Sequence, residues 1–389
     1  MIAYDKTLLD NTYLVEEANN LKKSGFIDSA QCKTITDNLP TLNSQNNLLI
    51  RFGLFLLGCL LYSSICGMIS LFAISFGQDT YKILIYCFSF IGIAGLEFMS
   101  RQNKQLGYGL DDAFLLGAQM LFFVAIGIST NENYLAVFIT IAIVSTISYL
   151  RYLHLSSALL ACIGITGSVA YLMFELGTLG KSILPFVMIV FSVLLYFLSE
   201  KALPRLKFPY YSKGIQLANG FSLILFYLSG NYLVVRELSI LLLNNSIPAT
   251  QEIPFAYFFY TFSFIIPVFY LIYSLYIKEK QMLWIGFLAL GFSIYTIRYY
   301  YHILPVEVAL TVGGLILFAF AYFSIQRIKH KENEITFLPD RFSNSNSLFN
   351  TELLMVTAQF GIKPEVETET SPMEFGGGGY SGGGSEGTF

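Results

Sequence analysis

Arg298, His302 and Glu307 fall within one short stretch, RYYYHILPVEV, set between two long apolar runs. A cation, an imidazole that titrates near neutral pH and a carboxylate are side chains that bind charged solutes or relay protons. Arg298 and His302 are four residues apart and share a face of any helix that reaches that far. Pro305 suits the restart of a helix, and Glu307 falls in its first turn, where a carboxylate complements the positive helix end. On the same expected side, Glu175 ends one apolar run and Arg236 with Glu237 follows another, so six residues make a candidate polar ring around one mouth of a bundle. These residues also have a plain structural use. Tyr299, Tyr300 and Tyr301 match the aromatic belt of a membrane interface, and helix-end charges need no ligand.

A second charged group is expected on the opposite side. Glu97 and Arg101 are four apart, Asp111 and Asp112 open the next apolar run, and Arg151 and His154 follow a further one. An interfacial salt-bridge lattice accounts for this set without function. Gln119, Gln216 and Asn219 are among the few polar residues inside or near the runs, and interhelical hydrogen bonding is their common use. No HExxH, GxSxG or GxxxxGK[ST] pattern occurs, and His154, His302 and His330 are too dispersed to suggest a metal site. No catalytic residue, cofactor or metal is expected, and nothing positively supports an enzyme. The five cysteines form no CxxC pair, and four lie in apolar runs, as small hydrophobes do.

The elements that must hold these groups are membrane helices. Of 389 residues, 54% are hydrophobic and only 13% charged, against about a quarter charged in soluble domains. A bilayer core of about 30 Å needs roughly 20 apolar residues in a helix. Such runs recur from Leu48 to Ile325 and are continuous rather than alternating, which favours an all-α polytopic protein over a barrel. The pattern predicts about ten spans, near 50–75, 80–99, 110–128, 133–152, 155–175, 181–199, 213–235, 254–277, 280–299 and 304–326. Pro267 removes a backbone donor in mid-span and is expected to kink or unwind its helix, a loss that neighbours must repair. The segment ELSILLLNNSIPATQEIP reads as a continued helix, a partly inserted piece or a loop. The segments beginning ILPFVM and ILPVEV hint at a parallel four-helix repeat over spans three to six and seven to ten.

Lysine and arginine set the expected orientation. With both termini cytoplasmic, 19 of these residues lie inside and 4 outside, which the positive-inside rule favours. Residues 1–47 read as a small cytoplasmic helical hairpin, with Asp28 and Gln31 in a capping-box pattern, and too small for a core of its own. No signal peptide is read at the start. Residues 48–326 read as the transmembrane domain and 327–389 as a cytoplasmic, mostly disordered tail ending in EFGGGGYSGGGSEGTF, a segment too glycine-rich to bury a core. Phe375, Tyr380 and Phe389 are three aromatic anchors on that leash for a protein partner. The expected partners are therefore the lipid bilayer, a protein at the tail and an unknown small molecule, with no nucleic acid.

The hairpin LVEEANNLKKSGFIDSAQCKTI, the helix pair RYYYHILPVEVALTVGGLILFAFAYF and the glycine-rich end together resemble a family of polytopic bacterial inner-membrane proteins. The resemblance covers the order of elements and implies a location in the bacterial inner membrane. It brings no activity and no site residues. Two functions stand as expectations: binding or passage of a small solute or lipid-linked molecule, and a scaffold or sensor working through the two cytoplasmic ends.

Overall fold

The computed structural model describes residues 2–45, 47–73, 80–205, 208–243, 253–277 and 279–301, with scattered helical positions between 308 and 326. His302, Glu307, most of the tenth expected span and the whole tail with Phe375, Tyr380 and Phe389 lie outside the described residues. Among the described residues there is no strand beyond an isolated bridge between Asn43 and Gln105. The fold is all-α: α1 (Lys6–Lys23), α2 (Ser29–Asn38), α3 (Leu48–Ala73), α4 (Thr80–Arg101), α5 (Leu110–Ser129), α6 (Tyr134–Tyr152), α7 (Leu155–Glu175), α8 (Gly177–Ala202), α9 (Ser212–Gly230), α10 (Tyr232–Leu243), α11 (Ala256–Ile277) and α12 (Lys280–Tyr301).

Among the described residues, seven helices are long and apolar enough to cross a membrane, or eight spans if α9 with its bent continuation α10 is one. The chain is an integral, multi-pass membrane protein. Its outward surface fits that solvent: Phe52, Leu56, Leu57, Leu60 and Leu61 of α3 are exposed, and such a face is stable only against lipid or another protein. Consecutive helices pack as antiparallel pairs, α4 with α5, α6 with α7, α8 with α9 and α11 with α12. Small residues let the pairs close. A Cβ at Gly164 of α7 would sit 2.5 Å from the Ala142 amide nitrogen of α6, and one at Gly167 would overlap the Phe138 ring. Gly164→Val should therefore lower the Tm of the purified protein, since overpacking of this kind costs about 1–3 kcal/mol. An unchanged Tm would show that α6 and α7 separate freely.

The α1–α2 hairpin is tied to one end of the bundle. Asp5 caps α1 by accepting from the Thr7 and Leu8 amides, and Asp28 and Gln31 form the reciprocal capping box of α2. The Ala3 amide donates to Arg151 O at 3.0 Å, and Lys213 meets Glu16 at 2.6 Å. Tyr4, Leu9 and Leu42 bury themselves with Tyr210. Burial first, then the nearby Asp111 and Asp112 charges, push the Tyr4 phenol above its usual range, so it stays a neutral donor to Tyr152 O.

One expectation about helix continuity is corrected and a second is narrowed to exclude unwinding. The span predicted over 213–235 is not continuous: it ends at Gly230 and resumes as α10 after a bend of 70°. The helix with Pro267, by contrast, runs unbroken. Proline frees the carbonyl four residues earlier, and Ser293 of α12 donates its hydroxyl to that Ser263 oxygen at 2.6 Å.

Candidate functional site

At the hairpin end, α4 to α7 bring Glu97, Arg101, Asp111 and Asp112 together. Glu97 pairs with Arg101 one turn on and with Arg151 of α6, each at 2.5 Å, and accepts from the Tyr152 hydroxyl at 2.9 Å. Asp112 pairs with Arg51 of α3 at 2.6 Å and accepts from His154 Nδ1 at 2.7 Å. His154 Nε2 lies 3.4 Å from Asp111 Oδ2, within ion-pair reach but off the line of a hydrogen bond. Asp111 is fully buried and accepts from the Gly107, Tyr108 and Gly109 amides at 2.7, 2.9 and 2.8 Å. That turn needs its glycines. Gly107 and Gly109 hold φ of 66° and 111°, and a Cβ on Gly109 would overlap the Arg51 carbonyl. Every acidic group in the lattice has a basic or amide partner, so its chemistry is cohesion: it fixes the α4–α5 turn, onto which Asn43 adds through its amide to Lys104 O and its carbonyl from the Leu106 amide.

A second polar assembly surrounds the break between α9 and α10. Asn231 sits in the gap, fully buried. Its Oδ1 accepts from the Leu233 and Val234 amides at 3.1 and 3.3 Å, capping α10, while Nδ2 donates to Tyr227 OH at 2.9 Å and Thr296 Oγ1 at 3.3 Å. The Tyr227 hydroxyl also meets Ser293 Oγ at 2.7 Å, and Ser263 Oγ accepts from the Tyr232 amide at 3.0 Å. Asn231 and Ser263 of α11 thus take up backbone amides that the bend frees, and Tyr227 of α9 with Thr296 of α12 hold the Asn231 side chain in place. One turn into α10, Arg236 is buried and donates to Tyr232 OH at 2.8 Å, while the Tyr232 ring stacks on Tyr260 at 3.9 Å between centroids.

Comparison with family models, with curated proteins and with solved structures finds no match for this chain. The site is therefore read from its own geometry. Of the six residues in the predicted ring, Glu175 is exposed at the end of α7, Arg236 is buried in α10 beside the half-buried Glu237, and Arg298 is half-buried in the last turn of α12. Arg298 Nη1 is sealed from solvent with no hydrogen-bond partner, an unsatisfied donor of the kind that buried sites seldom leave.

Sequence reasoning passed over Asn231, Tyr227, Ser263, Ser293 and Thr296. A signal for the break was present in Ser229-Gly230-Asn231, a turn-forming cluster inside an apolar run. The hydroxyls carry no such mark, because serine and threonine occur on any membrane helix and only the fold shows which ones meet.

Proposed function

We propose that the protein binds or passes a small solute or lipid-linked molecule at the α9–α10 break. The carrying observation is a span bent by 70° whose gap is filled by polar side chains from neighbouring helices, with the buried Arg236 one turn beyond. Discontinuous helices at membrane depth are the usual means by which solute sites are built in lipid, because they expose backbone ends and polar groups only to an enclosed cavity. The open donor on Arg298 favours a ligand carrying negative charge. The charge asymmetry and the family resemblance support a bacterial inner membrane with both termini cytoplasmic, which would place this mouth outside.

The experiment is thiol accessibility in a chain lacking its five cysteines. Ser263→Cys and Ser293→Cys are near-isosteric and lie on the walls of the break. An impermeant thiol reagent should modify them from the side opposite the hairpin, more slowly than a cysteine at Glu175. If neither wall position reacts from either side while the Glu175 control does, the break is a dry packing feature and the solute reading fails. The tie between the hairpin and the α4–α7 end supports the second reading, a scaffold or sensor, which then takes precedence.

A further inference from the structure

The α1–α2 hairpin is anchored at two places, and His154 stands between them. Its start is held by the last turn of α6, where the Ala3 amide donates to Arg151 O at 3.0 Å and the Tyr4 hydroxyl to Tyr152 O at 3.3 Å. Its end is held by the turn before α5, where the Asn43 amide donates to Lys104 O, the Leu106 amide to Asn43 O and the Gln45 amide to Gly107 O. Leu153, in a left-handed conformation at φ 59°, turns the chain out of α6 so that His154 opens α7 against Asp111 and Asp112. The imidazole is 1% exposed, with Nδ1 2.7 Å from Asp112 Oδ1 and Nε2 3.4 Å from Asp111 Oδ2. A neutral ring carries one proton for these two acids. With it on Nδ1, the Nε2 lone pair faces the Asp111 carboxylate and has no hydrogen-bond partner. With it on Nε2, two lone pairs meet across the 2.7 Å contact with Asp112. Either tautomer leaves one buried nitrogen against an anion without a proton.

We propose that Asp111, His154 and Asp112 form a proton site: the ring takes up one proton, and the imidazolium donates to both carboxylates and clamps the hairpin to the bundle. The proton comes from water and goes to the unpartnered nitrogen; no other bond forms or breaks. It stays on the ring because the acid oxygens already accept, those of Asp111 from the Gly107, Tyr108 and Gly109 amides and Asp112 Oδ2 from Arg51. The charged groups around the ring are the two acids of α5, Arg51 of α3, and, one layer out, Glu97 and Arg101 of α4 with Arg151 of α6. Tyr4 stands near both acids and Tyr152 beside Glu97. The carboxylates touch the ring while Arg51 acts across Asp112, so attraction outweighs repulsion. The added Nε2 proton gives Asp111 a fourth donor and ties the turn that holds residues 43–45 to the residue two beyond Tyr152. Imidazole changes charge near neutral pH, so the grip on the hairpin strengthens as pH falls and is lost as pH rises. The site does not rest on the solute reading, whose break lies between α9 and α10.

The test is trypsin cleavage of the full chain in lipid nanodiscs, read at the exposed Lys22, Lys23 and Lys33 and normalised at each pH to an unstructured peptide. Wild-type cleavage should slow about tenfold between about pH 8 and about pH 5.5, the worth of one hydrogen bond to a charged group. His154→Gln has a single donor group for the two acids and should give a flat profile. Should that variant not fold, the ring itself is read in wild-type surroundings, by nitrogen NMR of histidine-labelled protein carrying His302→Gln and His330→Gln. Both His154 nitrogens should carry protons at the acid end of the range and only one at the alkaline end. A flat wild-type profile, a His154→Gln profile with the wild-type slope, or a ring that keeps one protonation state throughout would each overturn the site.

Discussion

Asn231→Ala should be the most damaging single substitution in the α9–α12 half, lowering Tm and the yield of folded protein together. The side chain caps two amides at the start of α10 and joins Tyr227 to Thr296. Each buried amide left unpaired costs about 1–3 kcal/mol, and each lost interhelical hydrogen bond averages about 0.6 kcal/mol in membrane proteins. The expected total is about 3 to 7 kcal/mol, a large share of the stability of any fold. Thr296→Val serves as the graded control, because it removes one hydroxyl while Asn231 keeps both amides and Tyr227. The measurement is loss of the monodisperse chromatographic peak on heating. Equal midpoints for wild type and Asn231→Ala would mean that the bend is held by apolar packing around Tyr232 and Phe259 alone.

How much of this was legible in the sequence follows from what each feature depends on. The helix run from α3 to α8 could be read because lipid demands long apolar segments, a local property of the chain. Asp28 with Gln31 could be read because a capping box is a four-residue pattern. The fate of Pro267 could not, because its repair comes from Ser293, on another helix whose facing serine no local pattern reveals. The same holds for Asn231: Gly230-Asn231 marks a turn, but whether a turn survives in lipid depends on Thr296, Ser263 and Tyr227 reaching it. At the hairpin end the charges were visible as helix-end residues. That Asp111 turns back onto three amides of the preceding turn, rather than pairing with a cation, depends on Gly107 and Gly109 adopting positive φ.

That inward-turned carboxylate carries the second large effect. Asp111→Ala should release the hairpin from the bundle. Hydrogen bonds to a charged acceptor are worth about 1.5–3 kcal/mol each, and Asp111 takes three from the 107–109 turn. Without them the turn loses its shape, and with it the surface onto which Asn43 binds at Lys104 and Leu106. Arg51, packed against Gly107 and paired with Asp112, would shift as well. A loss of about 4.5 kcal/mol or more at this one turn would fall mainly on local docking, because α4 and α5 stay packed through Leu96, Phe114 and Leu115. Trypsin should then cut after the exposed Lys22, Lys23 and Lys33 many times faster than in wild type, while the membrane helices survive. Asp111→Asn keeps one acceptor oxygen, so it should hold the Tyr108 and Gly109 amides, lose Gly107 and give an intermediate rate. Wild-type cleavage rates in Asp111→Ala would show that the hairpin is anchored by Tyr4, Leu9 and the Lys213–Glu16 pair alone, and that the buried acid serves only the turn on which it sits.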